Sequence, residues 1–128
     1  MRRLFCIIIW VLCVSGCTTL NGIRESQGMG EKRIFQYPYD RVYQASLSSL
    51  LQIGLQVVEQ NKNAGYLVAA SGMSFLSYGE RIAVFVKKID ADTSEVEVVS
   101  KAMVKTNLFA HDWKHDIFQE IPLQLEKQ

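Results

Sequence analysis

Residues 80–104 read ERIAVFVKKIDADTSEVEVVSKAMV. In the first half, side-chain character alternates: Ile82, Val84 and Val86 point one way, and Arg81, Ala83, Phe85 and Lys87 the other. DADTS follows, a turn by composition. Alternation then resumes, with Val96, Val98, Ser100 and Ala102 inward and Glu95, Glu97, Val99 and Lys101 outward. Two runs of period two around a polar turn predict an antiparallel hairpin with one face patterned for burial. Lys87 and Lys101 are placed to face Glu95 and Glu97 across the pair, which favours its register. Glu95 and Glu97 share the outward face and read as solvated edge charges.

Moving toward the N-terminus, GYLVAAS is a strand, NKNAG a turn and LQVVEQ another strand. YDRVYQASLSSLLQIG carries a helical period: Tyr43, Leu47, Leu50 and Leu51 share a face, with Tyr39, Val42 and Ser46 beside them. Asp40 sits near the start of this helix, where a carboxylate suits unpaired amides. Gly54 is placed to end it. Before it, Ile34–Tyr37 is strand-like and Pro38 closes that run. In the tail, Trp113, Ile117, Phe118, Ile121 and Leu125 follow helical spacing, and Pro122 predicts a kink or a break. The order is β-α-β-β-β-α. It predicts an α+β fold, a two-layer sandwich with an antiparallel sheet covered on one face by two helices.

The chain begins MRRLFCIIIWVLCVSGCTT. Leu4–Val14 is an uncharged apolar run of 11 residues. A spanning helix needs about 20, whereas about 7–15 after a basic start suits an export signal. Val14-Ser15-Gly16-Cys17 resembles the lipobox of bacterial lipoproteins. The resemblance implies a diacylglyceryl thioether on Cys17, cleavage after Gly16 and a further acyl chain on the new amino terminus. Two or more chains anchor stably where one does not. Cys6 and Cys13 would leave with the leader and no cysteine follows Cys17, so no disulfide framework remains. Thr18 after the cysteine, in place of Asp, resembles the outer-membrane class facing the periplasm. The organisation expected is a lipoprotein signal peptide at 1–16, a lipidated flexible tether at 17–32 and a single periplasmic domain at 33–128. The tether is polar and glycine-bearing, and a coil of that length spans roughly 20 Å.

The formal net charge is +1, and loss of Arg2 and Arg3 leaves 12 basic against 13 acidic residues. No strong field points to nucleic acid. HDWKH at 111–115 superficially resembles the HExxH zinc motif. Asp112 is one methylene shorter than the Glu the motif needs, and the chain has no histidine beyond His111 and His115 to complete a three-ligand site. These residues read as a wet helix start. No Gly-x-Ser-x-Gly elbow surrounds any serine. Asp112, Asp116 and Glu120 repeat at helical spacing and read as a solvated face. Neither a catalytic site, nor a metal, nor a cofactor is expected. Met73, Phe75, Leu76 and Tyr78 lie between two strands, where connections are usually short and polar. They either extend a strand into the core or form a patch that meets a partner or the bilayer.

The run FQYPYDRVYQASLSSLLQIGLQVVEQNKNAGYLVAAS, with VEVVSKA and DWKHDIFQEI at its close, is similar to the helix-grip domains of the BamC lipoprotein family. That resemblance implies a non-enzymatic accessory of an outer-membrane assembly. The expected function is a lipid-anchored, non-catalytic binding or scaffold module at the cell outer membrane. Its expected partners are the membrane, through the lipid, and an envelope protein. Alternatives are a lipid or small-ligand carrier, using a groove between sheet and helices, and a hydrolase using the His111/His115 region.

Overall fold

Strand β4 (Glu80–Asp90) pairs antiparallel with β5 (Thr93–Ala102), and the side chains of Ile82, Val84, Val86, Val96 and Val98 are buried on one face. This is the hairpin that the alternation predicts. The structure is a computed structural model and describes residues 22–72, 79–102 and 111–128. Lys87 lies opposite Glu95 as expected, but Lys101 lies opposite Arg81, and Phe85 opposite Glu97. The second expected cross-strand ion pair is therefore replaced by an apolar partner.

β1 (Glu31–Phe35) pairs with β5, β3 (Tyr66–Ala70) with β4, and β2 (Gln56–Asn61) with β3, all antiparallel. The five-stranded sheet has the order β1-β5-β4-β3-β2. Two helices, α1 (Tyr39–Gln52) and α2 (Trp113–Lys127), pack on its inner face and on each other. The expected α+β two-layer architecture is present, in the expected element order.

Pro38 supplies an extended residue at the start of α1, with φ −59° and ψ 152°. Asp40 occupies its first turn. At the other end Gly54 takes φ +87°. Its N–H reaches the Leu51 carbonyl, and the Leu55 N–H reaches that of Leu50, so two orphan carbonyls are satisfied. The buried face of α1 is Val42, Tyr43, Ala45, Ser46, Ser49 and Leu50. Leu51, expected on that face, is 58% exposed. The face is rotated because Ser46 and Ser49 tolerate burial: each hydroxyl donates to a carbonyl one turn back, Val42 at 2.8 Å and Ala45 at 2.7 Å. Small side chains there let α1 lie close to its neighbours.

Helix α2 buries Ile117, Phe118, Ile121 and Leu125 and runs through Pro122 without a break. Pro122 is exposed, so the helix carries its ring on the solvent side. The Phe118 carbonyl loses the N–H partner that another residue at 122 would supply. The arginines reinforce this layer. Arg33 lies 4.4 Å from the Phe118 ring centre, and Arg41 donates to the Leu125 carbonyl at 3.0 Å.

The outer face of the sheet is not bare. Residues 22–30, which belong to the stretch read as a tether, cross it as a strap that begins with a helical turn at 22–24. Ile23 is 1% exposed and packs with Val68, Ala83, Phe85 and Val99. The flexible tether is thus replaced by packed chain from residue 22 onward, because the middle of the outward face is apolar and needs a cover.

Candidate functional site

The strap and the outer face together form the most distinctive polar arrangement. Three anchors hold the strap. At its start, Lys101 Nζ donates to the Gly22 carbonyl at 3.3 Å. In its middle, Arg24 approaches Glu59 Oε1 at 3.4 Å and donates to the Tyr66 hydroxyl at 3.2 Å, and that hydroxyl donates to Glu59 at 2.9 Å. At its end, Glu97 Oε1 accepts from the backbone N–H groups of Gly28 at 2.6 Å and Gly30 at 2.9 Å. Glu97 is 3% exposed, which corrects its reading as a solvated edge charge. A buried carboxylate persists where such donors replace its water. Gly30 has to be glycine for the approach to close. A Cβ there would stand 2.4 Å from the Val98 carbonyl oxygen and 2.7 Å from Val99 Cγ2.

Where strap and sheet part, they leave an open groove of about 260 Å³, lined by Gln27, Gly28, Lys32, Phe85, Lys87, Glu95 and Glu97. Two ammonium groups face two carboxylates across one aromatic side chain. The groove is charge-balanced and open to solvent. It suits a small polar or zwitterionic guest better than an acyl chain. Among its lining residues there is no Ser, Thr, Cys or His.

The His111–His115 region is committed to a helix start. The Asp112 carboxylate accepts from the His115 N–H at 3.3 Å and caps α2. The His111 imidazole pairs with the Asp116 carboxylate and meets the Trp113 ring edge-on, with centres 4.7 Å apart. His111, Asp112 and His115 are exposed. Of the carboxylates read as a solvated face, Asp112 caps, Asp116 pairs with His111 and Glu120 accepts from Gln124 at 2.7 Å. Among the described residues, no three His, Cys, Asp or Glu side chains come together to hold a metal ion.

No family model matches the chain, and no curated protein matches it. Among solved structures, the chain is similar to a crystal structure of Ara h 8.0201, at 11% identity and a TM-score of 0.39, over 77% of this chain and 96% of that one. A likeness this remote carries no argument about function.

One further polar cluster sits on the inner face. Glu80, 3% exposed, accepts from the Ser100 hydroxyl at 2.5 Å through Oε2, its backbone N–H donates to the Ser71 hydroxyl at 2.7 Å, and its Oε1 has no hydrogen-bond partner among the described residues. The remaining expected site residues, Gly16, Cys17, Met73, Phe75, Leu76 and Tyr78, lie outside the described residues. Glu97 and Ile23 are the residues that sequence reasoning missed. The signal was available: Ala83, Phe85 and Val99 all point outward, and three apolar neighbours on one face call for something to lie over them.

Proposed function

We propose that the chain is a lipid-anchored, non-catalytic binding or scaffold module of the cell envelope, held at the outer membrane and facing the periplasm. The observation that carries this reading is the Val14-Ser15-Gly16-Cys17 sequence, which closes an uncharged run behind Arg2 and Arg3. The run is short for a span and the right length for an export signal. Among the described residues, no helix is long and apolar enough to cross a membrane. Acyl chains on Cys17 would then be the attachment. Confinement at a surface raises effective concentration, so a weak contact with an envelope protein suffices. The resemblance to helix-grip lipoproteins favours a partner within an outer-membrane assembly. Met73, Phe75, Leu76 and Tyr78 are the side chains proposed to meet that partner.

The test is metabolic labelling with an alkyne fatty acid in cells that express the full chain. The wild type should take up label and sediment with the outer membrane, and Cys17→Ala should do neither. A mature chain with a free thiol at Cys17 would sink the reading. A Phe75→Ser, Leu76→Ser double variant should keep its thermal stability and lose crosslinked partners. A second reading, small-ligand carriage, draws on the polar groove of about 260 Å³ beside Glu97. Native mass spectra of the mature protein would then show a bound small molecule.

A further inference from the structure

The strap limits how the domain can stand on a membrane, and this inference rests on the lipid-anchor reading. At one end of the sheet β3 finishes at Ala70, β4 begins at Glu80 and β5 finishes at Ala102. The register puts Ala70 opposite Arg81, and Glu80 opposite Ala102. The strap starts at this end, because the Gly22 carbonyl is held by Lys101. It then runs toward the middle of the sheet, with Ile23 in its apolar seat and Gly28 and Gly30 on Glu97. The opposite end carries the β4–β5 turn at Ala91 and Asp92, together with Lys62, which pairs with Asp40 at 3.0 Å.

Covalent geometry then decides. From Cys17 to Gly22 the chain can span at most about 18 Å, even fully extended. From Arg81 to Asp90 the strand rises about 30 Å. With the far turn set down on the headgroups, Gly22 would stand beyond the reach of a lipid on Cys17. We propose that the domain therefore presents its Gly22–Lys101 end to the bilayer surface and holds the Asp90–Thr93 turn away from it. The charges at the near end fit anionic headgroups. Lys101 is exposed, and Arg81, its cross-strand partner, is half-buried.

The experiment uses the mature protein in nanodiscs of phosphatidylethanolamine and phosphatidylglycerol that carry a gadolinium-chelating headgroup lipid. Anchoring is by the cell's own acylation. If Cys17 is recovered as a free thiol, coupling to a maleimide-headgroup lipid supplies the anchor, so the lipoprotein reading and the orientation fail separately. Amide signals of Gly72, Gly79 and Lys101 should be lost to paramagnetic broadening, and those of Lys62, Ala91 and Asp92 retained. Equal loss at both ends, or greater loss at Ala91 and Asp92, overturns the proposal. A Gly/Ser insert of about 12 residues between Thr19 and Leu20 adds about 40 Å of reach without touching the strap. It should level the two ends. If the contrast survives the insert, the short leash is not its cause and the proposal is overturned.

Discussion

Glu97 shows how one side chain can bind a whole segment. Its carboxylate sits under the strap and takes two backbone donors that belong to residues 67 and 69 positions away. Glu97→Ala takes the acceptor from two part-buried donors and should cost about 1–2 kcal/mol in chemical denaturation. Glu97→Gln keeps an acceptor oxygen, loses the charge and should cost about 1 kcal/mol. Amide exchange at Gly28 and Gly30 should accelerate in both variants, and more in the first. Tyr43 governs a second property. Burial first, and then the neighbouring Tyr39 and Tyr66, raises its pKa above the ordinary 10.0. The folded protein therefore keeps the phenolic proton after the unfolded chain has lost it. This contribution to stability is complete below pH 10.0 and falls as pH rises through the raised value. Tyr43→Phe should shallow the loss of stability measured between neutral and strongly alkaline pH. It should not abolish it, because Tyr39 is raised in the same direction, chiefly by desolvation.

At the level of elements, local chemistry fixed boundaries well and faces less well. The capping of α1 by Gly54 and of α2 by Asp112 follows rules that a sequence displays directly. The hairpin of β4 and β5 is equally plain, since a period of two has only two phases and the apolar one goes inward. Pro122 misleads because the rule for interior proline ignores which side of the helix it occupies. It costs a hydrogen bond, and the helix continues from Trp113 to Lys127. Pro122→Ala should restore the missing donor and raise stability by roughly 2 kcal/mol, net of the greater freedom of the unfolded chain. A lowered midpoint in urea would show that the proline ring packs in a way that its exposure conceals. Residues 22–30 were illegible for another reason. A strap repeats no period, and each of its contacts is made once, so polarity and glycines give it the signature of a linker. Glu97 was misplaced with it, because alternation assigns a side chain to a face and says nothing of what covers that face.

Across the whole molecule, the two layers are closed by different kinds of contact. The inner layer is a continuous apolar cluster in which Leu50, Leu67, Ile82, Ile117, Phe118 and Ile121 are fully buried. The outer layer is a narrow cover whose apolar seat takes a single strap side chain, Ile23, flanked by polar clasps. Ile23→Ala should cost about 2–4 kcal/mol, because the rigid sheet beneath cannot collapse into the space. The strap's clasps also join residues far apart along the chain, Gly22 to Lys101 and Gly28 to Glu97. The hairpins of β2 with β3 and β4 with β5 need only short loops to close. The expected order follows from that difference: the local hairpins form first, and contacts of long separation, β1 on β5 and the strap on the outer face, come later. Stopped-flow measurements on Ile23→Ala should show a nearly unchanged refolding rate and faster unfolding, the pattern of a contact absent from the transition state.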